Sequence, residues 1–144
     1  MRLASIWLLV LGGATLAFFL TACGSRQAAR PAGSLVSVKE SDYRIVLHPS
    51  RVPAGRVRVT IDNVGPANHE LIFVRAVPSG LPMRTDGLTV NEAAITAREV
   101  AALEPATPGT VRHLDVDLQK GEYELFCNMA GHYMGGMRAF LTVT

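Results

Sequence analysis

The feature that most constrains the fold is a set of short apolar segments with a period of two. Residues 56–62, Arg-Val-Arg-Val-Thr-Ile-Asp, alternate strictly, so Val57, Val59 and Ile61 share one face and the charges take the other. Residues 110–118 repeat the pattern. Leu114, Val116 and Leu118 point inward there, and His113, Asp115 and Asp117 point to solvent. Further strands are expected at 35–38, 43–47, 69–76, 122–126 and 137–143, divided by turn signals such as Asn63-Val64-Gly65-Pro66 and Lys120-Gly121. Tyr43, Ile45 and Leu47 fall on one face, which leaves His48 at the surface, and residues 40–42 read as a polar turn. About seven short strands in roughly 110 residues specify an all-β sandwich. One segment departs from this pattern. Thr89-x-x-Glu92 is a capping-box signal, small residues form a stripe from Val90 to Ala101, and Pro105 follows, so residues 89–103 predict one inserted helix.

Between the last two strands lies Cys127-Asn128-Met129-Ala130-Gly131-His132-Tyr133-Met134-Gly135-Gly136-Met137. It holds a thiol, an imidazole and three thioethers on a hairpin loop that closes with glycines. Taken singly, such residues are most often core packing or surface groups. Together they are a donor set. A thiolate, an imidazole and a weak axial thioether are three ligands of a blue-copper site, and the soft sulfur and nitrogen donors select copper or zinc, with the thioether favouring copper. The remaining ligand is expected to be a second histidine from elsewhere in the chain. His69 is placed for this, at a loop-to-strand junction where a rigid sheet can aim it. Met137, Met134 and Met129 all remain candidates for the thioether.

The 127–137 segment resembles the C-terminal copper loop of the cupredoxins, and within them the plastocyanin- and rusticyanin-like bacterial group, in which Cys, a following Gly-His and a Gly-Met end the loop. Asn63-Val64-Gly65-Pro66-Ala67-Asn68-His69-Glu70-Leu71 resembles the first-ligand segment of the same group, and the resemblance spans residues 34–144. It implies a Greek-key β-sandwich with mixed strand pairing. It also implies one type 1 copper held by His69, Cys127 and His132, with Met137 axial. Transient docking of redox proteins is expected at a rim of Met129, Ala130, Tyr133 and Met134. Two positions depart from the family pattern. Glu70 stands where Asn or Ser is common, and no Pro lies between Cys127 and His132; the backbone N–H groups of Glu70 and Met129 remain able to donate to the sulfur.

The N-terminal part carries a different message. Arg2 precedes an apolar run over residues 6–20, which Leu20-Thr21-Ala22-Cys23 ends. The run reads as a secretory signal, and its end resembles the bacterial lipobox, in which the Cys becomes lipidated. Residues 1–23 are therefore expected to be a lipoprotein signal and 24–33 a flexible tether. Residues 34–144 would be one copper-binding domain outside the cytoplasm, lipid-anchored in the cell envelope. Cys23 and Cys127 sit in settings too different to favour a disulfide. The formal net charge is +2, with no basic stripe or tail to hold nucleic acid. No acid–base pair or second metal cluster argues for an enzyme. The expected role is a monomeric single-electron carrier; envelope copper delivery or buffering is the alternative.

Overall fold

The computed structural model describes residues 33–144, and the lipobox cysteine, the signal and all of the tether but Gly33 lie outside them. Nine strands form two sheets. They are β1 (Ser34–Ser41), β2 (Arg44–His48), β3 (Arg51–Val52), β4 (Gly55–Asn63), β5 (His69–Arg75), β6 (Glu99–Ala106), β7 (Val111–Leu118), β8 (Gly121–Phe126) and β9 (Arg138–Val143). The four-stranded sheet runs β2-β1-β4-β7 and the five-stranded sheet β3-β9-β8-β5-β6. Both sheets are mixed: β1 pairs parallel to β4 and β3 parallel to β9, while the other pairs are antiparallel. The expected all-β sandwich with mixed pairing is therefore what the chain forms.

Alternation fills the space between the sheets. Val36, Val38, Val57, Val59 and Ile61 from one sheet meet Leu71, Phe73, Leu125 and Leu141 from the other, all essentially inaccessible to water. His48 and His113 are exposed, as their strand parity requires. Residues 40–42 differ from expectation. Glu40 stays in β1 with its side chain fully buried, and the turn is confined to Asp42 and Tyr43.

The predicted helix over 89–103 is mostly not formed. Only Glu92–Ile95 is α-helical (α1), followed by a single 3-10 turn, Thr96–Arg98, and then by strand β6. The capping box is absent too, because Asn91 occupies the N-cap position without a side-chain cap and the Glu92 carboxylate accepts a hydrogen bond from Asn128 Nδ2 at 2.6 Å instead. The reason is the demand of β5. Its residues Leu71, Ile72, Phe73 and Val74 are all buried, so its backbone needs a partner on each side. β8 supplies one ladder and β6 the other, with Leu103, Ala102 and Ala101 opposite Leu71, Ile72 and Phe73. Helix propensity over a few alanines is a weak preference beside a sheet ladder.

Both faces of β5 are covered. Leu71 and Phe73 enter the intersheet core, while Ile72 and Val74 join Phe126 in a second cluster with Leu81, Val90, Ile95 and Tyr133. The 81–95 insertion is thus a cover over the outer face of the sheet. Ile95, 1% exposed, is its anchor. Replacing Ile95 with Ala is expected to cost about 2–4 kcal/mol, read as a lower urea midpoint; a change under about 0.5 kcal/mol would mean that the cover is not packed as described.

Candidate metal centre

Strand parity carries three donor-bearing residues to one place. His69 shares its face of β5 with Leu71 and Phe73; Cys127 continues Tyr123 and Leu125 beyond β8; Met137 precedes Ala139 and Leu141 of β9. β9, β8 and β5 are neighbours, and these three residues stand at the same end of them. His69, Cys127 and Met137 are each fully buried. A register shift between His69 and Leu71 in the β5–β6 ladder sits beside the histidine, a place where bulges re-aim side chains.

The fourth residue, His132, comes from the loop between β8 and β9. The loop folds on itself: His132 N–H donates to Met129 O at 2.8 Å, Gly135 N–H to Gly131 O at 2.8 Å, and Met137 N–H to His132 O at 3.0 Å. Cys127 N–H closes it by donating to Met137 O at 3.1 Å. Gly131 and Gly136 take φ values of 80° and 100°, which a side chain would resist. The result is a group of His69, Cys127 and His132 whose donor atoms all lie within 4.8 Å of one another. Cys127 Sγ and His132 Nδ1 are 3.4 Å apart, and the two imidazole rings are 5.2 Å apart.

Protein groups alone leave this cluster unsatisfied. Neither ring nitrogen of the buried His69 has a well-directed hydrogen-bond partner, with Asp42 Oδ1 standing 3.2 Å from Nε2. Buried polar atoms rarely remain so. Burial, then the neighbouring His132, lowers the His69 pKa, which keeps the ring neutral and able to donate a lone pair. Burial raises the Cys127 thiol to about 11, while the backbone N–H groups of Met129 and Glu70 act in the opposite sense by favouring the thiolate. The two amides singled out from the sequence thus both favour the thiolate. Two imidazoles and one thiol, dry and partly unpartnered, fit a soft or borderline metal ion.

The structure separates the methionines and corrects one rim residue. Met134 is 63% exposed, Met129 half-buried and Met137 fully buried. Ala130 is exposed. Tyr133 does not belong to the surface. It is buried, and its hydroxyl donates to Glu124 Oε1 at 3.1 Å and accepts from Arg138 Nη1 at 2.9 Å. The apolar outer cluster captures its ring, which meets Phe126 edge-on at 5.3 Å.

Sequence reasoning missed the polar residues that brace the site. Glu40, Asn63 and Arg112 lie on the intersheet faces of β1, β4 and β7 at the site end. Asn63 Nδ2 donates to Ala67 O and Ala106 O, and its Oδ1 accepts from Gly65 N–H, which fixes the loop leading to His69. Arg112 Nη2 reaches Glu40 Oε2 at 2.7 Å and His69 O at 3.4 Å, and its Nη1 reaches Glu104 O. Burial pushes the Glu40 carboxyl up, and Arg112 partly offsets this. Asn128 Oδ1 accepts from Val90 N–H and its Nδ2 donates to Val90 O, tying the cysteine loop to the insertion. The signal for Glu40 and Arg112 was available: they extend the inward sets Val36-Val38 and Leu114-Val116 by one step.

No family model and no curated protein matches the sequence. Solved structures do match the fold. Reduced auracyanin from Roseiflexus castenholzii superposes with a TM-score of 0.60 at 21% identity, over 78% of this chain and 98% of that one. The chain has the cupredoxin fold. Rusticyanin from Thiobacillus ferrooxidans gives 0.56 at 18% identity, covering 78% and 79% of the two chains. Auracyanin A from Chloroflexus aurantiacus, described as a "blue" copper protein, gives 0.55 at 17%, covering 78% and 100%.

Substituting Arg112 with Met is expected to destabilise the metal-free protein by about 3–5 kcal/mol, because Glu40 would be left buried without its partner. Adding Glu40→Gln to that variant should restore part of the loss, as measured by urea unfolding. A single variant as stable as the wild type would contradict the bracing role.

Proposed function

We propose that this chain is a type 1 blue-copper electron carrier, in which His69, Cys127 and His132 would hold the metal strongly and the Met137 thioether weakly. The observation that carries this reading is the convergence of two imidazoles and one thiol, largely without protein partners, at one end of a cupredoxin sandwich. The similarly folded auracyanin A, a blue copper protein, supports it. Full burial of Met137, and its backbone bonds to both Cys127 and His132, favour it over Met134 and Met129 as the axial residue.

Copper, when bound, supplies the one-electron couple. The chain's own residues do the rest. Cys127 would bind as the thiolate, which the backbone amides of Met129 and Glu70 favour. His69 is held from the sheet, and the half-buried His132 leads from the sulfur toward solvent. Around it lie exposed Ala130 and Met134, with Tyr43 packed edge-on against its ring at 5.4 Å, a weakly charged face for transient docking of redox proteins. A loop knitted by its own hydrogen bonds holds the donors still while charge changes, which favours rapid transfer. Burial of three of the four donors also slows metal exchange, so carriage is preferred to delivery. In this reading Cys23 is lipidated, and residues 24–33 tether the exported domain to a membrane of the cell envelope. Among the described residues no helix is long and apolar enough to cross a membrane.

Titration with Cu(II), followed by visible and EPR spectroscopy, tests the reading. The wild type should develop an intense thiolate-to-copper band with narrow hyperfine splitting, and Cys127→Ser should abolish the band. A pale, broadly split wild-type spectrum would overturn the assignment. The thiol pKa adds a second expectation. At pH 7–9 the thiol is mostly protonated, so binding must release its proton, and apparent copper affinity should rise about tenfold per pH unit. Affinity independent of pH across that window would show that the thiol is not a ligand.

A further inference from the structure

The turn between β1 and β2 lies next to both histidines, with Tyr43 against His132 and Asp42 against His69; Asp42 has no part in the docking face. Asp42 Oδ1 is 3.2 Å from His69 Nε2. It is the one carboxylate within 4.0 Å of that ring among the described residues. The approach is off the direction of a hydrogen bond, since the nitrogen remains without a partner. Gly65 also lies against the same nitrogen, since a Cβ there would stand 2.9 Å from Nε2, 2.8 Å from Ser41 Cα and 3.2 Å from Asp42 N. Gly65 thus makes the room in which His69 meets the turn. Tyr43, the next residue, has φ of 60°, the only positive value outside glycine among the described residues. Such a conformation in a bulky residue is held by its surroundings. Here the ring is held edge-on against His132, in a space that a Cβ at Gly135 would fill.

From this geometry we infer that Asp42 is a positioning residue for the copper site: its carboxylate accepts the Nε2–H of His69 and so commits Nδ1 to the metal. The inference rests on the copper reading for its consequences but not for the contact itself. A buried imidazole has two nitrogens to satisfy, and the metal takes one. Of the surroundings of Nε2, only Asp42 offers a charged acceptor. A ligating histidine whose second nitrogen donates to a carboxylate is fixed in tautomer and orientation and is a more basic ligand. The Asp42 side chain is 39% exposed, so it stands beside the buried ring without the penalty of full burial. A negative group behind the ligand favours Cu(II) over Cu(I). Because β1 also carries Glu40 at its other contact with the site, one strand end supports His69 from both its ring and its backbone side.

Two measurements on the full chain decide this. In the metal-free protein, imidazole nitrogen NMR should show His69 as the Nε2–H tautomer, and Asp42→Ala should remove that preference while leaving the thermal midpoint nearly unchanged. In the copper-loaded protein, Asp42→Asn should retain the blue band but bind Cu(II) on the order of tenfold more weakly, with Cu(I) binding less affected and the reduction potential raised. Asp42→Glu should recover part of the loss. A wild-type Nδ1–H tautomer, or an Asn variant whose Cu(II) affinity and potential match the wild type, would overturn the role of Asp42. A wild type with the expected tautomer but no blue band would instead count against the copper reading and uphold the Asp42–His69 contact.

Discussion

The structure depends on a polar cluster placed where a sandwich would otherwise be dry. A thiol and an imidazole are buried side by side, with a second imidazole closing over them. Burial works against both: it holds the thiol protonated and the His69 ring neutral. An ion that binds all three donors turns this liability into a site. The rest of the fold then serves to prevent the donors from escaping to other partners.

The two sheets contribute unequally. The five-stranded sheet aims His69, Cys127 and Met137 from three adjacent strands, so their relative positions follow from the ladders and from strand parity. The four-stranded sheet presents Glu40, Asn63 and Arg112 at the same end. These residues do not touch the thiol. They hold the loop before His69, the His69 carbonyl and the neighbouring β6 backbone. Asn128, immediately after the cysteine, ties the other ligand loop to the inserted cover. A rigid site thus arises from strands on one side and polar braces on the other.

Much of this was legible in the sequence, for a physical reason: alternation is a local pattern, and β-sandwiches obey it. The strands around Val57, Val59 and Ile61, the exposed positions of His48 and His113, and the amides of Glu70 and Met129 near the sulfur follow from reading residues in order. The 89–103 segment misled because its alanines and capping signal are local, whereas the need of β5 for a second ladder is not. Tyr133 misled for a similar reason. A tyrosine between a histidine and an exposed methionine looks peripheral until the outer cluster of Phe126, Val90 and Ile95 is known to lie beside it. Asp42 could not be found from spacing, since a turn 27 positions before His69 meets it only through the β1–β4 pairing. Glu40 and Arg112 were within reach, because parity alone sends both inward.

X-ray absorption of the copper-loaded protein in both oxidation states tests the central claim most directly. It reports which atoms surround the metal without relying on any assignment of colour. The account predicts a first shell of one short sulfur and two nitrogens that is nearly the same for Cu(II) and Cu(I), because the chain fixes the donors. A shell without short sulfur, or one rebuilt on reduction, would contradict it.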